Sequence, residues 1–243
     1  DGTSWTELAD GNTVRKGLAG SGTTTSALAF AGNAPSPDDD TGKTESWNGS
    51  SWTEVGDLNM QRRELGGCGS SNTAALAFAG QNEDGNRTGD TELWNGSSWT
   101  EVNDMNSVRQ QVALGGGTET TTLCVGGLQP PSTRKDLTES WNGTSWTEVG
   151  DLNQARYRFG GAGANNTSFL VFQGDPPPGS ATANTEQWNG SSWTEVNNLN
   201  AAQSDGAGSG TTSNALSFGG DTPRAATEEW SSPTPTTVSF TVS

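Results

Sequence analysis

The acidic side chains are the residues of this sequence best placed to do chemistry unaided. Histidine is absent from the 243 residues, and the two cysteines, Cys68 and Cys124, lie at unrelated places in the chain. Most zinc sites and every nucleophile that depends on a histidine base are therefore excluded. Hydrolysis by two carboxylates stays formally open, since it needs only two Asp or Glu roughly 5 to 10 Å apart. The cysteines are expected to be small buried thiols.

The conspicuous acids recur at a fixed spacing, which is typical of structural positions. One set is Glu7, Glu54, Glu101, Glu148 and Glu195, and a second is Glu45, Glu92, Glu139, Glu186 and Glu228. Both sets are expected to be solvated positions on outer strands, opposite buried neighbours. The glycine-rich segments expected to line the centre of the fold carry almost no acids. The sequence therefore predicts that the protein is not an enzyme.

Tryptophan spacing reveals the elements that carry these residues. Trp5, Trp52, Trp99, Trp146 and Trp193 lie 47 residues apart each time. A period this strict indicates one supersecondary unit copied five times. In the second copy, four segments read as strands, here called a to d: residues 64 to 71, 74 to 80, 91 to 94 and 98 to 102. Asn95 and Gly96, between strands c and d, predict a hairpin turn.

Four short strands in every 47 residues, with no helical periodicity, are typical of a propeller blade. The sequence therefore predicts an all-β, five-bladed β-propeller of four-stranded antiparallel blades over residues 1–232. The last unit stops after strand c, whereas the chain opens with a strand d. Residues 1–8 are therefore expected to complete blade five and close the ring, which would remove an open edge. Residues 233–243 fall outside the period and are expected to form an edge strand or a linker.

The unit resembles a kelch repeat, as found in the central domain of galactose oxidase. The residues that carry the resemblance are Trp47, Trp52, Leu58, Met60 and Arg62 in one copy, and Trp94, Trp99, Met105 and Arg109 in the next. Only Gly126-Gly127 and Gly219-Gly220 keep the double glycine of that family, and Gln203 replaces the arginine in the fifth copy. The copper radical chemistry known on this fold needs Tyr, His and Cys ligands, and a chain with Tyr157 alone and no histidine excludes it.

The phrase WNGSSWTEV also resembles kelch-like segments in structural proteins of marine tailed bacteriophages. This resemblance implies a virion component such as a tail, fibre or capsid-surface protein, working as a structural or recognition module. Its expected partners are other virion proteins or a receptor or glycan on the host surface, with oligomers formed through a larger assembly. The alternative is a glycan-binding propeller module of a secreted or cell-surface protein.

Charge and hydropathy argue against nucleic acid and a membrane as partners. The net charge of −16 disfavours nucleic acid, and no apolar run approaches the roughly 18 residues of a membrane span.

Four asparagines each begin an Asn-Gly-Ser or Asn-Gly-Thr sequon that a secreted eukaryotic protein could glycosylate: Asn48, Asn95, Asn142 and Asn189. Hairpin geometry alone explains these sequons. The expected location is the virion, or alternatively the extracellular space.

The loops between strands b and c do not repeat, so they are the expected binding face. Their candidate binding residues are Asp38, Asp39, Asp40, Asn82, Asp84, Asn86, Arg134, Lys135 and Asp175. Asn82 and Asp84 could hold Ca²⁺, or these loops could simply be solvated. The four repeat-equivalent arginines are Arg15, Arg62, Arg109 and Arg156. They could line the mouth of the central channel and bind anions, or they could order the d-to-a turn by bonding carbonyls or an acid such as Asp57 or Asp151.

Overall fold

The computed structural model describes residues 4, 6–35, 39–113, 116–221 and 226–232. These residues form strands, turns and loops, without a helix. None of their segments is therefore a helix long and apolar enough to cross a membrane. The strands form five antiparallel blades around a central axis, which confirms the predicted all-β, five-bladed propeller.

The strands of each blade follow one another in chain order. Blade 1 contains β1 (Ala19–Thr23), β2 (Ser26–Phe30), β3 (Thr44–Trp47) and β4 (Trp52–Val55). Blade 2 contains β6 (Gly66–Ser71), β7 (Ala74–Phe78), β9 (Thr91–Trp94) and β10 (Trp99–Glu101), with the short pair β5 (Arg62–Arg63) and β8 (Gln81–Asn82) beside it. Blade 3 contains β11 (Thr122–Val125), β14 (Thr138–Trp141) and β15 (Trp146–Glu148), with the short pair β12 (Leu128–Gln129) and β13 (Thr133–Arg134). Blade 4 contains β16 (Gly160–Asn165), β17 (Ser168–Phe172), β18 (Thr185–Trp188) and β19 (Trp193–Val196), and blade 5 contains β20 (Gly206–Gly210), β21 (Asn214–Gly219) and β22 (Thr227–Ser231).

Two blades show three strands within the described residues. In blade 3 the innermost segment includes residues 114 and 115, which lie outside the description. In blade 5 the predicted fourth strand is the N-terminal one. Ser4 and Thr6 to Leu8 form no strand in the structure, and residues 1–3 and 5 lie outside the described residues. Closure of the ring by residues 1–8 therefore stays a prediction, as does the role of residues 233–243, which also lie outside the description.

The c-to-d hairpin is held by the asparagine that begins it. Trp47 pairs with Trp52, so the loop has four residues. The Asn48 side-chain oxygen accepts hydrogen bonds from the backbone N–H groups of Ser50 at 2.9 Å and Ser51 at 3.0 Å, and Gly49 adopts a φ of +95°. This turn chemistry suits an Asn-Gly pair without any need for a glycan. Asn95, Asn142 and Asn189 make the equivalent bonds.

A ring of glycines lets the inner segments lie close against neighbouring backbone, chiefly that of strand b in the same blade. These glycines occupy one repeat position: Gly22, Gly69, Gly116, Gly163 and Gly210. A Cβ atom would lie 2.2 Å from the Ser26 carbonyl oxygen at Gly22, and 2.3 Å from the Asn214 carbonyl oxygen at Gly210. Larger side chains therefore do not fit, and the five segments enclose a narrow channel of about 340 Å³.

The strand-d tryptophans pack each blade onto the preceding one. Trp99 lies 4.9 Å from the ring of Phe30 in blade 1 and 5.4 Å from Trp94 in its own blade. Its indole N–H donates to the Thr44 hydroxyl at 2.9 Å. Trp146 and Trp193 donate to the equivalent threonines of their preceding blades, at 3.0 and 3.1 Å. The tryptophan pairs of blades 2, 3 and 4 are therefore buried and form part of the core between blades.

Candidate functional site

The repeat-equivalent arginines are buried against strands b and c of the blade that each one enters, so the prediction that they line the channel mouth is wrong. Arg62, Arg109 and Arg156 are fully buried, and the Arg15 side chain is 2% exposed. The Arg109 guanidinium donates to the carbonyl oxygens of Gly126 and Leu137 and to the Glu139 carboxylate at 2.9 Å. Carbonyl bonding was the alternative interpretation, and it is confirmed. The acid partner, however, is a strand-c glutamate rather than Asp57 or Asp151.

The strand-c glutamates are these partners, which corrects their predicted exposure. The ion pairs are Arg15 with Glu45, Arg62 with Glu92, Arg109 with Glu139 and Arg156 with Glu186, at 2.9, 3.3, 2.9 and 2.6 Å. Burial lowers the pKa of the Arg62 and Arg156 guanidinium groups, and the paired carboxylates oppose this. A buried arginine needs such a partner, and strand c presents its glutamate to the loop entering the same blade. The strand-d glutamates Glu54, Glu101, Glu148 and Glu195 are exposed, as predicted.

The b-to-c and d-to-a loops share one face of the ring. Antiparallel bridges join Lys16 to Asn33, Gln110 to Leu128 and Tyr157 to Asp175, and β5 pairs with β8 in the same way. Each bridge connects a residue just before an inner strand with the first residues after strand b. This face therefore holds the loops that differ most between repeats.

The predicted loop residues separate into structural and exposed groups. Asp40 is buried and bonds Arg63 at 2.6 Å and Asn33 at 3.1 Å, so it fastens two loops together. Asp175 accepts from Arg134 at 3.4 Å, which joins blades 3 and 4. The backbone N–H of Lys135 donates to the Gly127 carbonyl, and the Lys135 carbonyl accepts from the backbone N–H of Arg156. Asp39 and Asp84 are exposed, and Asp38 lies outside the described residues.

The proposed calcium ligands are engaged in a turn. The Asn82 side-chain oxygen accepts from the Asn86 N–H at 2.9 Å, and the described residues hold no group of three or more His, Cys, Asp or Glu that could bind a metal ion. Because bound Ca²⁺ takes six to eight oxygen ligands, we expect excess EDTA to leave the melting temperature unchanged. Differential scanning calorimetry with and without the chelator checks this. A fall of several degrees that added Ca²⁺ reverses would establish a calcium site here.

A cavity of about 760 Å³ opens at the centre of the loop face, and we call it the entrance cavity. Its rim is a single repeat position occupied by five different residues, here called the mouth ring: Gly17, Glu64, Gln111, Arg158 and Asp205. All five adopt positive φ, between +52° and +61°. This conformation lets the N–H of Glu64 donate to the Gly17 carbonyl at 2.7 Å, and that of Gln111 to the Glu64 carbonyl at 2.8 Å. The backbone thus links neighbouring blades while the side chains differ.

The mouth ring carries mixed charge. Arg158 and Asp205, both partly exposed, pair at 3.4 Å, and the Glu64 carboxylate accepts from Gln110 at 2.6 Å. Burial raises the pKa of the Asp205 carboxyl from its ordinary value; Arg158 opposes this effect, and the nearby Asp221 carboxylate adds to it. Lys16, Arg63 and Glu83 also line the cavity. The site therefore offers hydrogen-bond donors and acceptors of both signs, which suits a polar ligand.

Tyr157 lies beside this rim between two arginines. The guanidinium carbons of Arg134 and Arg158 lie 4.9 and 5.1 Å from its ring centre. Burial raises the pKa of the Tyr157 hydroxyl. Two cation–π contacts hold the ring in place, and they connect the predicted Arg134 and Asp175 to the mouth ring.

The residues predicted from the sequence, in the b-to-c loops and at the four repeat-equivalent arginines, do not include the mouth ring. The signal was available in the 47-residue period. Positions 17, 64, 111, 158 and 205 are in register, yet they hold Gly, Glu, Gln, Arg and Asp. The repeat position two residues earlier holds arginine in four of five copies, whereas the mouth-ring position and the one before it differ in every copy. Such a variable stretch inside a strict repeat indicates a site outside the shared architecture.

Fold and cavity together define the class of this protein as a five-bladed β-propeller. No family model matches the sequence, and no curated protein matches it either. The solved structure of YjhT is similar in fold, with a TM-score of 0.77 and 13% sequence identity over 93% of this chain and 84% of that one. At this identity the similarity shows a shared fold alone. The kelch and bacteriophage relations therefore stay predictions.

Proposed function

We propose that this chain is a non-enzymatic recognition module of a virus particle, and that it binds its partner in the entrance cavity and the b-to-c loops around it. The observation that carries the proposal is the mouth ring. Its five positions share one backbone conformation, whereas no two of them carry the same residue.

Backbone strain supports a binding role for this ring. A non-glycine residue at positive φ costs of order 1–3 kcal/mol, and such residues cluster at binding sites. Glycine would serve the inter-blade backbone bonds equally well, as Gly17 does. The other four blades instead place a charged or amide side chain at the rim of a cavity. A concave site with a few convergent polar groups is the usual form of a ligand pocket.

The carboxylates support the absence of catalysis. Four strand-c glutamates are committed to buried arginines, and the strand-d glutamates lie exposed on the outer strands. At the rim, Glu64 bonds Gln110 and Asp205 pairs with Arg158. Glu64 and Asp205 are therefore engaged in contacts that hold the rim together.

The virion assignment is supported by the bacteriophage-like phrase that repeats around the ring. In this setting the partner is another virion protein or a receptor or glycan on the host surface. The alternative is an extracellular glycan-binding module, and the size and mixed polarity of the entrance cavity favour it. The two proposals share the site and differ in where the protein resides.

Two experiments with the full chain test this proposal. The labelled protein is applied to a glycan array, and antibodies raised against it are applied to purified virus particles that carry this sequence. Labelled particles support the virion assignment, whereas saturable glycan binding with unlabelled particles supports the extracellular module. Release of free sugar from a bound glycan would contradict the proposal that the protein is not an enzyme. If the array shows no binding and the particles are not labelled, the proposed recognition role is contradicted as well.

A further inference from the structure

A second cavity, of about 450 Å³, adjoins the entrance cavity on the loop face, and we call it the side pocket. Its lining residues all belong to the part of the chain that the structure describes. The two cavities share part of their lining: Arg63, Glu64, Gln111 and Arg158. From there the side pocket extends to Ser132 and Arg134, in the b-to-c loop of blade 3. A ligand bound at the mouth ring can therefore continue outward into this pocket.

The lysines and arginines outside the buried ion pairs are concentrated on the same face. Of the 12 in the sequence, the four repeat-equivalent arginines are buried beside glutamates, and Lys43 pairs with Glu54. Arg224 lies outside the described residues. The others lie in the b-to-c loops or just before an inner strand: Lys16, Arg63, Arg87, Arg134, Lys135 and Arg158. In a chain with a net charge of −16, the loop face is therefore where an anion meets cationic side chains.

Three arginines line the side pocket against a single carboxylate. The arginines are Arg63, Arg134 and Arg158, and the acid is Glu64, which accepts from Gln110 at 2.6 Å. Each arginine pairs with an acid outside the lining; these acids are, in the same order, Asp40, Asp175 and Asp205, at 2.6, 3.4 and 3.4 Å. A guanidinium group has five N–H donors, so a single acid orients it and leaves donors for a ligand.

Tyr157 holds two of these arginines in place. The guanidinium carbons of Arg134 and Arg158 lie 4.9 and 5.1 Å from its ring centre. The Arg134 Nε also donates to the Asp175 carbonyl at 3.0 Å. Planar guanidinium groups match the paired oxygens of an oxyanion, and side chains that are already ordered lose less conformational freedom on binding. The arrangement therefore suits a carboxylate or a sulfate group.

The rest of the lining favours a sugar over an acidic peptide. The amides of Gln81, Gln110 and Gln111 and the Ser132 hydroxyl contribute polar groups, and Leu128 is the one aliphatic side chain of this lining. Amides both donate and accept hydrogen bonds, as sugar hydroxyls do. An acidic peptide also brings apolar side chains, and this lining offers them little surface to pack against.

We propose that the side pocket binds the anionic group of an acidic glycan, a carboxylate or a sulfate, while a neighbouring sugar occupies the entrance cavity. The inference rests on the proposed recognition role and narrows its ligand to acidic glycans. Arg134 and Arg158, held on Tyr157, bind the anion, and the glutamine amides bind hydroxyls of the same sugar. Asp205 competes with the anion for Arg158, because it pairs with that guanidinium in the free protein.

A glycan array tests the ligand class with the full chain. The array carries each glycan backbone in a neutral, a carboxylated and a sulfated form, together with a glutamate-rich peptide. We expect saturable binding to anionic glycans, about tenfold or more tighter than to the neutral form of the same backbone, because hydrogen bonds between charged groups are the stronger ones. The anionic form that binds best identifies the anion.

Two results on this array would overturn the inference and leave the recognition role standing. One is equal binding of the neutral and anionic forms, and the other is binding of the acidic peptide in place of the glycans. Binding to none of these probes would also overturn the inference. Together with unlabelled virus particles, that last result contradicts the proposed function as well.

Single substitutions test the placement of the anion in the side pocket. Arg134→Gln should weaken binding of the best anionic glycan about tenfold or more. Arg87→Gln is the matched control, because Arg87 donates to Ser132 at 3.3 Å but does not line the pocket. It should weaken binding by less than about twofold, since charges exposed to solvent are screened. Equal losses in the two variants would overturn the placement, by showing general attraction to the loop face.

Asp205→Asn tests the arrangement in the opposite direction. It removes the acid that holds Arg158, and asparagine tolerates the φ of +59° at this position. Affinity for the anionic glycan should rise about twofold or more, because Arg158 gains a donor for the ligand. Unchanged or weaker binding would overturn the role of Arg158. Thermal melts check that the variants are folded, and if Arg134→Gln is not, the result with Asp205→Asn decides.

Discussion

Replacing Arg109 with methionine is expected to lower the free energy of unfolding by about 3–5 kcal/mol, the usual cost of leaving a buried charge without its partner. Arg109 is fully buried, and its guanidinium pairs with Glu139 at 2.9 Å. Without the arginine, the Glu139 carboxylate stays buried beside the carbonyl oxygens of Gly126 and Leu137. Urea denaturation followed by tryptophan fluorescence measures the change.

A surface variant and a double variant complete this test. Lys43 and Glu54 form an ion pair with side chains 40% and 53% exposed, and Lys43→Met should change stability by less than about 1 kcal/mol. Arg109→Met combined with Glu139→Gln should recover part of the loss, because the neutral amide removes the buried charge while its single oxygen still accepts from the backbone N–H of Asn106. The bond from the Ser107 N–H, which goes to the other carboxylate oxygen, is lost. Equal stabilities for wild type and Arg109→Met would show that the pair does not hold the blade.

The second large effect is expected at Trp146. This side chain is 6% exposed and packs 5.0 Å from Phe78 of the preceding blade. Trp146→Ala should cost about 3–5 kcal/mol, through lost burial and the cavity it leaves. Trp146→Phe should cost less, chiefly the hydrogen bond to the Thr91 hydroxyl, which is worth about 0.5–1.5 kcal/mol. Chemical denaturation of the two variants gives both values.

Trp52, the strand-d tryptophan of blade 1, provides the matched control. We call the interface between blades 5 and 1 the seam of the ring. It occupies the same repeat position as Trp146 but is partly exposed in the structure. Trp52→Ala should therefore destabilise less than Trp146→Ala. The reverse order would mean that the seam between blades 5 and 1 is packed more tightly than the interior interfaces, contrary to the structure.

Period and turn chemistry made the architecture predictable. Strict 47-residue spacing and the Asn-Gly turns identify the blades, and strand c of the second unit was predicted with the bounds Thr91–Trp94 that the structure shows. Strand ends were less certain. The inner strand of that unit begins at Gly66 rather than Glu64, because Glu64 adopts positive φ and turns the chain into the strand. Local patterns do not reveal a left-handed residue that glycine could equally occupy.

The glutamates show why the site was less predictable. Glu45 and Glu54 are both charged strand residues and pair directly across β3 and β4, yet the first is buried and the second is exposed. The difference arises from Arg15, whose approach is a long-range contact that neither strand pattern contains. Mouth-ring residues share this property, because they lie 47 residues apart in the chain and meet only in the folded propeller. Comparing the copies position by position reveals the varied residues of the mouth ring, but it does not separate the buried glutamates from the exposed ones, because both sets repeat with the same period.

A binding titration tests most directly whether ligand recognition resides in the mouth ring. Arg158→Gln copies the residue that blade 3 carries at the same position, and Glu148→Gln changes an exposed outer strand in the same chemical way. Calorimetry with the glycan that gives the strongest array signal should show binding weakened about tenfold or more by Arg158→Gln, which is about 1.4 kcal/mol. Glu148→Gln should leave it unchanged. Equal affinities for wild type and Arg158→Gln, with both proteins folded, would contradict the claim.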